Sequence, residues 1–192
     1  MSVSEFDRPT RRIAALQGAP GVAIQNVLAG FAQRLARGGL RVAGVVEISR
    51  CNDAGACKSL SVKDIVSGET FSISQNLGAG SQACNLDPGG LAKACALVEQ
   101  AVAAGADVVV LSKFGKLEAA RGGLCDAFRA AMLADVPVIT TVSQHVTEDW
   151  NSFAGPLAEF IDASVEALDA WWDMRRGHDM VSSPAGEARI YQ

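Results

Sequence analysis

Histidine is scarce in this chain. Its 192 residues include 2, His145 and His178, too few for a histidine-rich metal centre. Cysteine is sparse and poorly spaced. The 5 residues, at 51, 57, 84, 95 and 125, contain no Cys-x-x-Cys pair, and their odd number does not make a pure disulfide framework. No apolar run approaches the ~18 residues of a membrane-spanning helix. Residues 1–12 carry charges and a proline where a signal peptide has its apolar stretch. These absences predict a cytoplasmic protein with reduced thiols and no membrane partner. A basic patch is missing as well: 17 Lys and Arg are dispersed against 21 Asp and Glu, for a net charge of −4. A nucleic-acid binder gathers its bases, so no nucleic-acid partner is expected. No Gly-x-Ser-x-Gly elbow occurs, so a Ser-His-Asp hydrolase is not supported.

What remains is an ordinary globular composition, 49% hydrophobic and 20% charged, at a length suited to one domain with a real core. Residues 1–10 read as a flexible arm, 11–176 as the domain, and 177–192 as a tail. Arg11–Gln17 reads as a buried strand, broken by Gly18-Ala-Pro-Gly21. A helix follows over 22–37, with Ile24, Val27, Leu28, Phe31 and Leu35 on one face. Leu40–Ile48 and Ala106–Leu111 are continuous apolar runs, which suit strands covered on both faces. Between them, residues 50–86 are polar and contain a candidate hairpin, Leu60–Val66 and Thr70–Ser74, turning at Ser67-Gly68-Glu69. Asp87-Pro88 is a cap and first-turn pair for a helix to about Ala104. A helix near 124–133, a strand over 136–142, a short helix around Trp150 and a final helix over 157–176 complete the series. Strands alternating with helices imply an α/β fold, three layers around a parallel sheet, with a small β-hairpin insertion.

The first strand–loop–helix unit has the context of a phosphate-binding loop but not its chemistry. Such a loop reads G-x-x-x-x-G-K-[ST]; its backbone N–H groups cradle phosphate, its Lys reaches the β- and γ-phosphates, and its hydroxyl binds Mg²⁺. Here the chain reads Gly18-Ala19-Pro20-Gly21-Val22-Ala23-Ile24-Gln25. Ala23 replaces the last Gly, Ile24 the Lys, and Gln25 the hydroxyl.

Two further segments carry resemblances. Ala106–Glu118 (ADVVVLSKFGKLE), together with GAPGVAIQN, resembles the phosphate-loop and Walker-B stretches of the thermophilic nucleoside-triphosphatase family of P-loop proteins. Leu86–Ala92 (LDPGGLA), Lys113–Glu118 (KFGKLE) and the following Arg121-Gly-Gly-Leu124 resemble, more closely, a bacterial family of unknown function whose genes are often found near molybdate-transport genes. The first resemblance implies a P-loop NTPase-like architecture over residues 11–175. It also implies that Ser112 stands at the Mg²⁺-linked acid and Lys113 at the acid that activates water. Every part needed for Mg²⁺-assisted phosphoryl transfer is then replaced together. The second implies an oxyanion connection.

Because ligands sit beyond the carboxyl ends of parallel strands, Gly18, Ala19, Gly21 and Val22 together with Ser112, Lys113, Lys116 and His145 are expected to line a pocket for a small anion. That partner is a phosphate, a nucleotide or a molybdate-type oxyanion, bound without Mg²⁺ or any other required cofactor. Asp87, Gly115 and Glu118 are assigned to the structural motifs. No metal site is expected; Cys51 and Cys57 are the weak candidates for a soft metal or a redox pair. The adjacent Trp171 and Trp172 cannot both join one narrow helical stripe, and an exposed Trp there would mark a homo-oligomer contact. The leading reading is a non-hydrolysing, anion-binding protein connected with molybdenum. The alternatives are a nucleoside triphosphatase rebuilt around Lys113, Lys116 and His145, and an oligomeric assembly or regulatory protein with a vestigial pocket.

Overall fold

The computed structural model describes residues 11–18, 21–51, 57–74 and 87–182, with backbone alone at 49–51, 57–59 and 177–182. The expected arm over 1–10 and the candidate Ala19 lie outside them, as does most of the expected tail. In chain order the elements are β1 (Ile13–Gln17), α1 (Gly21–Arg37), β2 (Val42–Cys51), β3 (Cys57–Asp64), β4 (Thr70–Ser72), α2 (Pro88–Ala103), β5 (Val108–Phe114), α3 (Lys116–Ala119), α4 (Cys125–Leu133), β6 (Val138–Val142), α5 (Thr147–Ala154), β7 (Ala158–Asp162) and α6 (Val165–Ser182). Single 3₁₀ turns, Gln144–Val146 and Gly155–Leu157, flank α5.

One sheet runs through the molecule in the order β4-β3-β2-β5-β6-β1-β7. The strands from β2 to β7 in that order are parallel, and β3 and β4 add antiparallel at one edge. The expected parallel sheet is present, and the antiparallel hairpin makes the whole sheet mixed. The predicted hairpin is real, but β3 pairs with β2 and so extends the main sheet. Along each core strand, side chains alternate between two apolar clusters. Ala15, Val45, Val109 and Leu111 pack beneath α2, α4 and α5 with Leu91, Val98, Phe128 and Trp150. Leu16, Val108, Val110 and Ile139 pack beneath α1 and α6 with Leu28, Phe31, Leu168 and Trp172. Covering on both faces is why these strands read as unbroken apolar runs.

Two expectations are corrected. The segment taken as the start of the last helix, Ala158–Asp162, is instead an edge strand parallel to β1, from Ile13↔Ala158 to Gln17↔Asp162. Its pattern is compatible with a helix, and pairing with β1 overrides that propensity. The helix begins only after Ser164, whose hydroxyl accepts from the Ala167 N–H at 3.1 Å as an N-cap. Secondly, Trp171 and Trp172 are both buried, at 3% and 7% exposure. Leu168, Trp171, Trp172 and Arg175 form a stripe at i, i+3, i+4 and i+7, wide enough for both indoles. Trp172 meets Phe31 edge-on at 6.3 Å. The premise for an exposed tryptophan contact is gone.

The LDPGG signature is architectural from Asp87 onward. The Asp87 carboxylate accepts from the Gly89 N–H at 2.9 Å, and the Asp87 N–H donates to the Ile73 carbonyl at 2.9 Å. Any Cβ on Gly90 would lie 2.1 Å from the Ser72 carbonyl oxygen, so only glycine lets the first turn of α2 dock against β4. Cys95 and Cys125 are buried free thiols. Burial pushes the Cys95 thiol up to about 11, and the Cys125 thiol also rises, chiefly through burial. Both are inert packing groups at neutral pH.

Candidate functional site

At the carboxyl ends of β1, β5 and β6 lies a cavity of about 530 Å³. Gln17, Gly18, Gly21, Gln25, Glu47, Lys113, Thr141 and Gln144 contribute to its walls. Gly18 has φ +98°, a left-handed conformation that glycine adopts without strain. Helix α1 begins at Gly21, so its opening N–H groups border the same space. The expected juxtaposition of Gly18, Gly21 and Lys113 is present, but β1 and β5 are not neighbours: β6 lies between them.

Lys113 is aimed by a bulge. Between Leu111↔Thr140 and Phe114↔Val142, β5 advances three residues while β6 advances two. The extra residue falls at Ser112-Lys113, inside a strand that continues to Phe114 rather than ending at Leu111. Bulges re-aim side chains in this way beside binding sites. The Lys113 ammonium lies 2.6 Å from Oε2 of Glu47, two residues beyond the last β2–β5 register pair, Val45↔Leu111. The cavity thus carries a lysine already paired with a carboxylate rather than a bare positive charge.

Gln25 ties this corner together. Its Nε2 donates to the Ser112 carbonyl at 2.7 Å, and its Oε1 accepts from the Glu47 N–H at 2.9 Å. The Thr141 hydroxyl donates to the same Ser112 carbonyl at 2.9 Å. Ile24, at the position of a phosphate-loop lysine, is buried in the cluster with Leu16 and Leu28. The Mg²⁺ that P-loop phosphoryl transfer uses needs a hydroxyl at position 25 and an acid on β5. A committed amide and Ser112 stand there, and the nearby carboxylate faces an ammonium. These residues do not fit the ion. Gln25→Ala would leave the part-buried Glu47 N–H without its acceptor and remove one of two side-chain donors to Ser112 O. A loss of ~1–3 kcal/mol in denaturant-derived stability is expected; an unchanged midpoint would show that the amide carries no structural role.

Other predicted residues fall elsewhere. Val22 is 60% exposed. It borders a separate 310 Å³ cavity between α1 and the β2–β3 edge, which shares only Gly21, Gln25 and Glu47 with the first. Lys116, His145, Ser112, Gly115 and Glu118 line a third cavity, of about 410 Å³, on the far side of the Lys113–Glu47 pair. Glu118 there is a buried clamp: Oε2 accepts from the Gly115 N–H and Oε1 from the Leu124 N–H, each at 3.0 Å. Gly123, at φ +61°, must be glycine, since a Cβ would sit 2.1 Å from Glu118 Oε1. KFGKLE followed by RGGL is therefore one folded unit around a carboxylate. Cys51 and Cys57 are register partners across the β2–β3 ladder. Among the described residues, no group of three or more His, Cys, Asp and Glu is arranged to hold a metal ion.

Sequence reasoning missed Glu47, Thr141 and the bridging role of Gln25. Glu47 had a signal: within the apolar run Leu40–Ile48 it is the one charge besides Arg41. Gln25 had none, because its partners are a backbone carbonyl and a backbone N–H from two distant strands.

Comparison with known proteins adds three findings. A family model described as "Protein of unknown function (DUF2478)" matches residues 13–171. A curated protein named Molybdenum import ATP-binding protein ModC 2, from Bradyrhizobium diazoefficiens, is 36% identical over 178 residues, which are 88% of this chain and 20% of that protein. The chain thus spans about a fifth of that relative's length. The crystal structure of THEP1 from the hyperthermophile Aquifex aeolicus superposes with a TM-score of 0.56 over 84% of this chain and 94% of that one, at 15% identity. That likeness concerns the fold alone, and it agrees with the P-loop NTPase-like architecture expected from the sequence.

Proposed function

Since the chain belongs to the family described as "Protein of unknown function (DUF2478)", we propose that it is a P-loop NTPase-like protein that binds a nucleotide or oxyanion without hydrolysing nucleotide, in connection with molybdenum in the cytoplasm. One observation carries the reading. The cavity at the strand ends keeps Gly18, Gly21 at the start of α1 and a lysine, while the corner where a P-loop protein holds its metal is filled by the Gln25 bridge. Backbone N–H groups at a helix start favour an anion by themselves. Lys113 adds a cation that an incoming anion draws from Glu47. The name of the ModC relative supports both the nucleotide and the molybdenum parts of the proposal. The rebuilt-hydrolase alternative is disfavoured, because Lys116 and His145 border the third cavity and not the one over Gly18 and Gly21.

Calorimetric titration with ATP, ADP, phosphate, molybdate and tungstate, each with and without Mg²⁺, tests this. Saturable binding of at least one ligand, unchanged by Mg²⁺ and without phosphate release above blank, is the expected result. No binding at millimolar ligand, or Mg²⁺-dependent turnover of ATP, would sink it.

A further inference from the structure

The third cavity has a character of its own. Leu60, Val62, Ile73, Leu91, Leu117 and Leu124 are among its lining residues, and the surface exposed to the cavity is mainly apolar. Its volume of about 410 Å³ falls within the range of ligand sites. Its polar lining includes Lys113, Lys116, Ser143 and His145. Of the two carboxylates that line it, Glu47 faces Lys113 at 2.6 Å, and Glu118 is held by two backbone N–H groups. Lys116, by contrast, is exposed and has no ion-pair partner among the described residues. Lys116 and His145 are the cationic and N–H-donating side chains left to meet a ligand over the apolar surface.

We propose that this cavity is a second binding site, for an amphipathic organic anion. An aromatic or aliphatic body fills the space between Leu60, Ile73 and Leu91, and an acidic head meets Lys116 and His145. A bare oxyanion leaves the apolar floor unfilled, and a neutral hydrophobe leaves the rim donors without a partner. The site does not use the Gly18–Gly21 loop, so it stands whether or not that loop binds anions. The two cavities share Glu47, Lys113 and Ser143 as a common wall.

The fluorescent probe anilinonaphthalene sulfonate has both parts of such a ligand, and N-phenylnaphthylamine has the same body without the sulfonate. The folded protein should bind the sulfonate at one saturable site, about tenfold or more tighter than the neutral amine. Lys116→Glu and His145→Glu, both at exposed positions, should each weaken the sulfonate about tenfold while leaving the circular dichroism and thermal unfolding unchanged. Millimolar inorganic phosphate should not displace it. Equal binding of the two probes, or sulfonate binding indifferent to Lys116→Glu, would reduce the site to a non-specific apolar patch and overturn the proposal. Displacement by phosphate would also overturn it, placing the acidic head in the first cavity instead.

Discussion

Lys113→Glu is expected to weaken anion binding at the Gly18–Gly21 cavity by roughly two orders of magnitude. The substitution removes the one lysine lining that cavity and sets a second carboxylate beside Glu47. Two unit charges about 4 Å apart interact by ~1 kcal/mol in water and ~4 kcal/mol near a protein surface, and here an attraction becomes a repulsion. The Lys113 side chain is 41% exposed, so the fold should tolerate the change. Glu47→Gln gives the converse result. It releases the ammonium and removes a competing negative charge, and affinity for phosphate or nucleotide should rise several-fold, the scale of a partly exposed ion pair. Titration calorimetry on the three proteins, with thermal unfolding as the control, decides the matter. If Lys113→Glu binds like the parent protein, Lys113 is not part of the anion site. If Glu47→Gln binds more weakly, the carboxylate helps hold the ligand.

Gly44→Ala is expected to destroy the fold. Gly44 lies in β2 within its ladder to β5, paired with Val110, at φ +132°. A Cβ there would be 1.8 Å from the Val110 carbonyl oxygen and 2.7 Å from its carbonyl carbon. Both are backbone atoms of a buried central strand, so no side chain can yield. The cost should exceed about 4 kcal/mol, against a typical total stability of ~5–15 kcal/mol. Expression should pass to the insoluble fraction, or the cooperative thermal transition should vanish. Gly30→Ala provides the contrast. Gly30 is in the middle of α1 with nothing within 4 Å of an added Cβ, and alanine there should stabilise by ~0.5–1 kcal/mol. A soluble Gly44→Ala protein with the parent's melting temperature would mean that β2 and β5 do not approach as described.

Several local features could be read from the residues themselves. The apolar runs of β2 and β5, the Asp87-Pro88 start of α2, the hairpin turn near Gly68 and the stripe of α1 each depend on interactions within a few positions. Edge strand β7 could not be read in the same way. AEFID has no strand signature, and it becomes a strand because β1 offers it an open edge. The same holds for the burial of both tryptophans, which requires α1 to bring Phe31 against α6. The site divides along this line too. The glycine loop and Lys113 were legible as motif positions, whereas Glu47 lies sixty-six residues before its partner and Gln25 bridges two strands.

The sequence by itself determined that this is an α/β protein with a phosphate-loop context and without that loop's lysine and hydroxyl. Those are statements of residue type and spacing, and spacing of 2 or 3.6 is a local property of the backbone. Only the tertiary structure decided what replaced the missing groups. It set an amide across two strands, a lysine against a glutamate, and a wall shared by the cavity beside Gly18 and a more apolar one. The reason is physical: strand order and a single-residue bulge place these side chains, and both are settled by long-range pairing rather than by the residues near them in the chain.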